Sequence, residues 1–87
     1  MRKKTMLRDA TLEWIERLAK GVRFTYQDAY KYLEENFPSD CNQSGFQKRG
    51  NQRVPAYWRY AGFAIWDARL RHGLIKHTGI RGQRERI

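Results

Sequence analysis

The residues of this chain that could do chemistry are mostly basic, and they are concentrated in its second half. Residues 47–87 hold ten Lys and Arg against two Asp and Glu, whereas residues 1–46 hold eight against seven. A one-sided basic excess favours a polyanionic partner, with nucleic acid first and an anionic membrane second. No apolar run approaches the length of a membrane span, so we expect nucleic acid and no membrane partner.

Two kinds of nucleic-acid contact are predicted. Phosphate contacts give affinity that is independent of sequence and sensitive to salt. We expect them from basic residues in loops or in the last strand: Lys48, Arg49, Arg53, Arg81, Arg84 and Arg86. Base contacts are expected from one helix face with Tyr57, Tyr60, Ala64 and Arg71, where Arg can bind guanine through two hydrogen bonds. The alternatives are a solvated charged surface and tyrosines that pack under a loop.

Other chemistries find little support in the sequence. His72, His77 and Cys41 match no standard zinc spacing, and a fourth ligand is missing. The basic half has only Asp67 and Glu85 as carboxylates, too few for a metal-dependent nuclease centre. The chain also has no Gly-rich phosphate loop with its Lys. We therefore expect no enzyme, no metal and no cofactor.

Length and composition predict one small globular domain. The chain has 87 residues, of which 40% are hydrophobic, so it can bury a modest core. The single cysteine allows no internal disulfide, which fits a reducing intracellular compartment. We expect one domain over residues 1–87, with residues 1–8 as a flexible basic N-terminus.

Apolar spacing and capping residues predict three helices. The first covers residues 9–20, and the second covers residues 26–36 after a capping box formed by Thr25 and Asp28. Residues 38–53 are polar and are predicted to be a long loop. The third helix covers residues 55–72, with Pro55 first and Gly62 inside, where we expect a close contact. Its core face is predicted to be Trp58, Phe63, Ile65, Trp66 and Leu70.

Three short strands accompany these helices. They cover residues 22–24, 74–78 and 83–87, and the last two form a hairpin around a Gly turn at residues 79–82. Alternation along the last strand predicts that Arg84 and Arg86 point outward and that Ile87 closes the core. We expect folding to depend on Leu33, Ile65, Trp66 and Leu74. Tryptophans at helical spacing are more often core residues than base-stacking residues, so we expect the three tryptophans in the core. This expectation is weakest for Trp58, which lies beside the basic loop.

The stretches "FTYQDAY" and "IWDARLRHGLIKHTG" resemble winged helix-turn-helix domains. They are most similar to small phage-encoded DNA-binding proteins of this class and to winged-helix modules attached to restriction enzymes. The resemblance covers about residues 9–87 and implies an α+β fold of three helices with a C-terminal β-hairpin wing. It also implies that the third helix enters the major groove while the wing touches phosphate or the minor groove.

Sequence and resemblance together predict a protein that binds duplex DNA through residues 55–72 and 74–87. Its expected role is that of a transcription or replication accessory factor of a phage or mobile element. RNA binding is one alternative, because basic loops with Tyr and Trp also suit single-stranded bases. A protein–protein adaptor on a winged-helix scaffold is the other. A homodimer also stays open, although few apolar residues lie outside the predicted core.

Overall fold

The structure is a computed structural model that describes residues 3–87, with side chains from Met6 onward. The described chain forms four helices and two antiparallel sheets, so the mixed α+β class is confirmed and the prediction of three helices is wrong. The elements follow in the order α1 (Lys3–Arg17), β1 (Arg23–Thr25), α2 (Tyr26–Asn36), α3 (Pro38–Gln43), β2 (Phe46–Arg49), β3 (Gln52–Pro55), α4 (Tyr57–Leu70), β4 (Ile75–His77) and β5 (Gln83–Arg86). No helix among residues 3–87 is long and apolar enough to cross a membrane.

Helix α1 begins six residues earlier than predicted and ends three earlier. Leu7 is fully buried, and the guanidinium of Arg8 donates hydrogen bonds to the carboxylate of Asp67 in α4. Residues 6–8 therefore belong to the packed domain and are not part of a flexible tail. Residues 1 and 2 lie outside the described residues.

Helix α2 has the predicted bounds, and its capping box is present. The Asp28 backbone N–H donates to the Thr25 hydroxyl, while the Asp28 carboxylate accepts from the Thr25 backbone N–H at 2.8 Å. Two of the helix's unpaired N–H groups are satisfied in this way. Leu33 is fully buried, as predicted.

Residues 38–53 do not form the predicted loop. Pro38 occupies the first turn of α3, where its missing N–H costs nothing. Strands β2 and β3 then form a hairpin around Gly50 and Asn51. Gly50 has φ +64° and Asn51 does not have a positive φ, which fits a type II′ turn. Pro55 consequently ends β3 instead of beginning a helix.

Helix α4 packs on α1 through a face of small residues, and the predicted core face is largely wrong. Ala61, Ala64 and Ala68 are fully buried and Ile65 is nearly so, whereas Trp66 is 58% exposed. Alanines allow two helix axes to approach closely, so a neighbouring helix can pack tightly against this face. Leu70 is also exposed, and Phe63 and Trp58 are only partly buried.

The second sheet has the strand order β1-β5-β4, so the last strand lies between the other two. Strands β4 and β5 form the C-terminal hairpin that was predicted, and Gly79 and Gly82 both take positive φ angles in its turn. Leu74 packs against the core before β4. Ile87 is 51% exposed, so the prediction that it closes the core is wrong.

Candidate nucleic-acid interface

The face of α4 opposite the core carries arginine and aromatic side chains. Arg59 and Trp66 are exposed, and Gly62 and Phe63 are partly exposed beside them. The guanidinium of Arg59 lies 5.1 Å from the Phe63 ring centroid, and that of Arg8 lies 5.9 Å from it. Both guanidinium groups are close enough for the attraction between a cation and an aromatic ring.

An ion pair between α1 and α4 offsets the charge of the one carboxylate of α4. Asp67 is only 6% exposed, and its Oδ2 accepts a hydrogen bond of 2.9 Å from Nε of Arg8. A buried carboxylate requires such a partner, because burial removes its hydration. The pairing leaves the outer face of α4 positively charged.

A cleft of about 390 Å³ lies between the start of α2, strand β2 and the outer face of α4, and we call it the basic cleft. Its lining combines aromatic rings with cations, and no carboxylate from the described residues contributes to it. The lining residues are Tyr26, Tyr30, Gln47, Lys48, Arg49, Trp58, Arg59, Gly62 and Phe63.

Ring stacking fixes the aromatic walls of the basic cleft. Tyr30 and Trp58 stack with centroids 4.9 Å apart and planes 6° apart, and Tyr26 meets Tyr30 edge to face at 6.5 Å. From β5, Arg84 lies 5.4 Å from the Tyr26 ring centroid and donates to the Tyr26 hydroxyl at 3.2 Å. The C-terminal hairpin therefore supports one wall of the cleft.

The β2–β3 hairpin supplies the cations of the opposite wall. Its register places Gln47, Arg49 and the buried Val54 on one side of the ribbon, and Lys48 and Arg53 on the other. Burial raises the pKa of the Tyr30 hydroxyl, and the charge of Arg49 opposes that rise. This electrostatic influence of Arg49 on Tyr30 agrees with their shared place in the lining.

Four of the six residues predicted to contact phosphate are exposed or line the basic cleft. Lys48 and Arg49 line it. Arg53 is exposed on the other side of the same hairpin, with its guanidinium 4.8 Å from the Phe46 ring centroid. Arg81 is exposed in the turn between β4 and β5.

Most of the helix face that was predicted to contact bases is buried. Tyr57 is 8% exposed and its hydroxyl donates to the carboxylate of Glu34, and burial together with this bond raises the pKa of Tyr57 to about 12. Tyr60 is partly buried and packs against the core, and Ala64 is fully buried. Arg71 is exposed just beyond the end of α4.

Arg86 is bound to backbone carbonyls within the protein and does not point outward. Its Nε donates to the Ile15 carbonyl at 3.2 Å and its Nη2 to the Glu16 carbonyl at 3.5 Å, both at the end of α1. Its Nη1 donates to the carbonyls of Leu74 at 3.4 Å and Ile87 at 2.5 Å. Arg84 likewise contacts Tyr26. Both arginines of β5 therefore contact other parts of the protein, which the alternation of residues along the strand did not predict.

Sequence reasoning missed Arg59, Gly62 and Phe63 as site residues, as well as the hairpin that faces them. The Arg59 and Phe63 side chains are four apart, the spacing at which helix neighbours meet on one face. The hairpin also had a local signal, a Gly-Asn pair between two strand-compatible segments at residues 46–49 and 52–55. Both signals were present in the sequence.

The described residues contain no group of three His, Cys, Asp or Glu that could hold a metal ion. Cys41 is buried, and burial raises the pKa of its thiol to about 11. No protein-family model matches this chain, and no curated protein or solved structure is significantly similar to it.

Proposed function

We propose that this chain is a winged helix-turn-helix domain that binds nucleic acid, with duplex DNA as its preferred partner. The observation that carries the proposal is the basic cleft. Lys48, Arg49 and Arg59 line it together with four aromatic residues, and no carboxylate from the described residues lines it. Phosphate and base edges are the ligands that such a combination suits.

The order of the elements supports this assignment. Helices α1, α2 and α4 correspond to the three helices of a winged helix-turn-helix domain, and β4 and β5 follow α4 as a hairpin. Helix α3 and the β2–β3 hairpin are an addition between the second and third of these helices. The addition brings a second basic hairpin to the N-terminal end of α4, so α4 has a hairpin at each end.

The expected contacts differ from those that the sequence suggested. Tyr57 and Ala64 are buried, so the outer face of α4 is the surface that contacts the major groove of DNA in this proposal. Phosphate contacts come from Lys48, Arg49 and Arg59, and the exposed Arg53 and Arg81 extend this surface. Arg86 is removed from the set because carbonyls already hold its guanidinium.

Fluorescence anisotropy with a labelled 20-base-pair duplex tests the proposal, and a hairpin RNA and a single strand serve as competitors. The Lys48→Ala/Arg49→Ala variant removes two cations from the basic cleft. Lys20→Ala/Lys31→Ala removes the same charge from exposed positions that do not line it. If each cleft cation contacts one phosphate, the slope of log affinity against log salt falls by about 1.8 for the first variant only.

Equal losses of affinity and equal slopes for the two variants would contradict the proposal, because they would show a response to net charge alone. Stronger binding of the hairpin RNA than of the duplex would favour the RNA-binding alternative. No binding to any of the three nucleic acids, even at low salt, would exclude both.

A further inference from the structure

Gly62 has no packing reason to be glycine. It lies in the interior of α4, where glycine is among the least favourable residues for a helix. Apart from its chain neighbours and the backbone of its own helix, a Cβ at this position would meet no atom within 4 Å, so the close contact expected from the sequence is absent. Gly62 also does not have a positive φ. The protein therefore accepts a weaker helix without gaining an internal contact, and the bare backbone faces outward.

Gly62 lies where the aromatic surfaces of the molecule meet. It contributes to the basic cleft and also to a neighbouring groove of about 410 Å³, which Phe63, Trp66 and the Arg8–Asp67 ion pair line as well. Gly62 and Phe63 line both spaces, so the cleft and the groove adjoin at these two residues. An incoming group could approach the α4 backbone at Gly62 more closely than at Arg59, Phe63 or Trp66, because those residues of the same face carry side chains.

We propose that the basic cleft receives a single unstacked nucleobase, which packs over Gly62 while its phosphates meet Lys48, Arg49 and Arg59. The proposal rests on the nucleic-acid binding proposed above and names the form of nucleic acid that the site prefers. The ligand is a nucleotide that is unpaired within an otherwise double-stranded molecule.

The chemistry of the lining favours a base over other anionic ligands. Phosphate recognition alone needs cations and N–H donors, whereas the cleft is also lined by the partly exposed rings of Tyr26, Trp58 and Phe63. The buried Tyr30 stacks on Trp58 and supports it. Aromatic rings that stack with bases are the usual means of holding an unpaired nucleotide. The volume of about 390 Å³ lies near the lower end of the ~300–1,000 Å³ range of small-molecule pockets, which suits one base and not a stretch of strand.

A paired base cannot enter such a cleft. In a perfect duplex the base faces are stacked on their neighbours, and a protein reaches only the edges in the grooves. A mismatched, bulged or terminal nucleotide has already lost much of its pairing energy, so its transfer to a protein pocket costs less. The cleft should therefore discriminate in favour of duplexes that contain such a nucleotide.

Three duplexes with the same flanking sequence test the inference: a perfect duplex, one with a single bulged thymidine, and one whose bulge is an abasic tetrahydrofuran nucleotide. The last two have the same backbone and the same bend-prone site, so they differ only by the base. We expect the bulged thymidine to bind about 5- to 150-fold more tightly than the abasic bulge, the range that one stacked base contributes. Equal binding of the two bulged duplexes would overturn the inference and leave the proposed function intact.

Two variants tie this preference to the cleft. Gly62→Leu fills the position over the helix backbone with a residue of high helix propensity, so we expect an equal or higher melting temperature and a loss of the preference for the base. Phe63→Leu should reduce the preference, whereas its control Trp66→Leu, outside the basic cleft, should retain it. A Gly62→Leu protein that keeps the full preference would show that the base does not lie there.

Discussion

Arg86 offers the sharpest test of the structural role of the C-terminal hairpin. Its guanidinium reaches four backbone carbonyls, two of them in the last turn of α1. The carbonyls at the end of a helix lack partners within the helix, and a cation there also interacts favourably with the helix dipole. If Arg86 instead served only to contact phosphate, its removal would leave folding unchanged.

The cost of Arg86→Ala follows from these contacts. A hydrogen bond from a charged donor contributes about 1.5–3 kcal/mol, and a cation at a helix C-terminus about 0.3–1 kcal/mol. The contacts with Glu16 and Ile87 are exposed and contribute less than those with Ile15 and Leu74, which are partly buried. We expect the free energy of unfolding to fall by about 2–3 kcal/mol, out of the roughly 4–13 kcal/mol that a domain of this length has.

Urea denaturation followed by far-ultraviolet circular dichroism measures this loss, and thermal melts should show a decrease of roughly 10–20 °C. Arg81→Ala is the matched control, since Arg81 is exposed in the turn of the same hairpin and should change stability by less than about 0.5 kcal/mol. Arg86→Lys should recover only part of the loss, because an ammonium group cannot span the carbonyls that a planar guanidinium reaches. Equal stabilities of Arg86→Ala and Arg81→Ala would refute the reasoning.

Three further predictions concern the core and the buried ionisable groups. Ile65→Ala should destabilise the protein by about 2–5 kcal/mol in urea titrations, whereas Trp66→Ala should change stability far less because most of that ring is exposed. A larger loss for Trp66→Ala than for Ile65→Ala would support the core face predicted from the sequence. The pKa of Tyr57 is raised to about 12, so the folded state holds a proton that the unfolded state releases above pH 10. Stability should therefore fall between about pH 10 and pH 12, and Tyr57→Phe should show a smaller fall in pH-dependent melts. The Cys41 thiol, with a pKa of about 11, should react with iodoacetamide at pH 8 much more slowly than in urea-unfolded protein; equal rates would place it at the surface.

Local chemistry predicted the elements that depend on only a few neighbouring residues. Thr25 and Asp28 specify the start of α2 by reciprocal hydrogen bonds, and Pro38 follows its end. Gly79 and Gly82 take the positive φ angles that a tight turn requires. These features need no knowledge of the rest of the fold.

The orientation of α4 could not be predicted from apolar periodicity. The helix carries apolar residues almost all round, and the bulky ones suggest a face that the structure leaves largely exposed. Helix α1 is the main packing partner of α4, and the buried face of α4 carries Ala61, Ala64 and Ala68, whose small side chains let helices approach closely. The candidate site lies on the face opposite the alanines. Because the buried face of α4 was assigned wrongly, Arg59 and Phe63 were not predicted as site residues, whereas the buried Tyr57 was.

The roles of the arginines in β5 were also inaccessible from sequence, for a different reason. Alternation along a strand states which side a residue is on, but it does not state what lies on that side. Arg84 meets a tyrosine from α2, and Arg86 meets the end of α1. Both partners are more than fifty residues away along the chain, so only the assembled fold brings them together.

The pairing of β1 with β5 has a consequence for synthesis on the ribosome. Arg23 lies opposite Glu85, 62 residues later, and β5 is the central strand that joins β1 to β4. A nascent chain can form α1 and α2 early, but it cannot complete this sheet until residue 86 has emerged. Until then the backbone N–H and C=O groups at the edge of β1 are unpaired. Unpaired edges can pair with strands of other chains, which promotes misassembly. We expect prematurely terminated chains that stop before β5 to be rapidly degraded, even when α1 to α4 have been made.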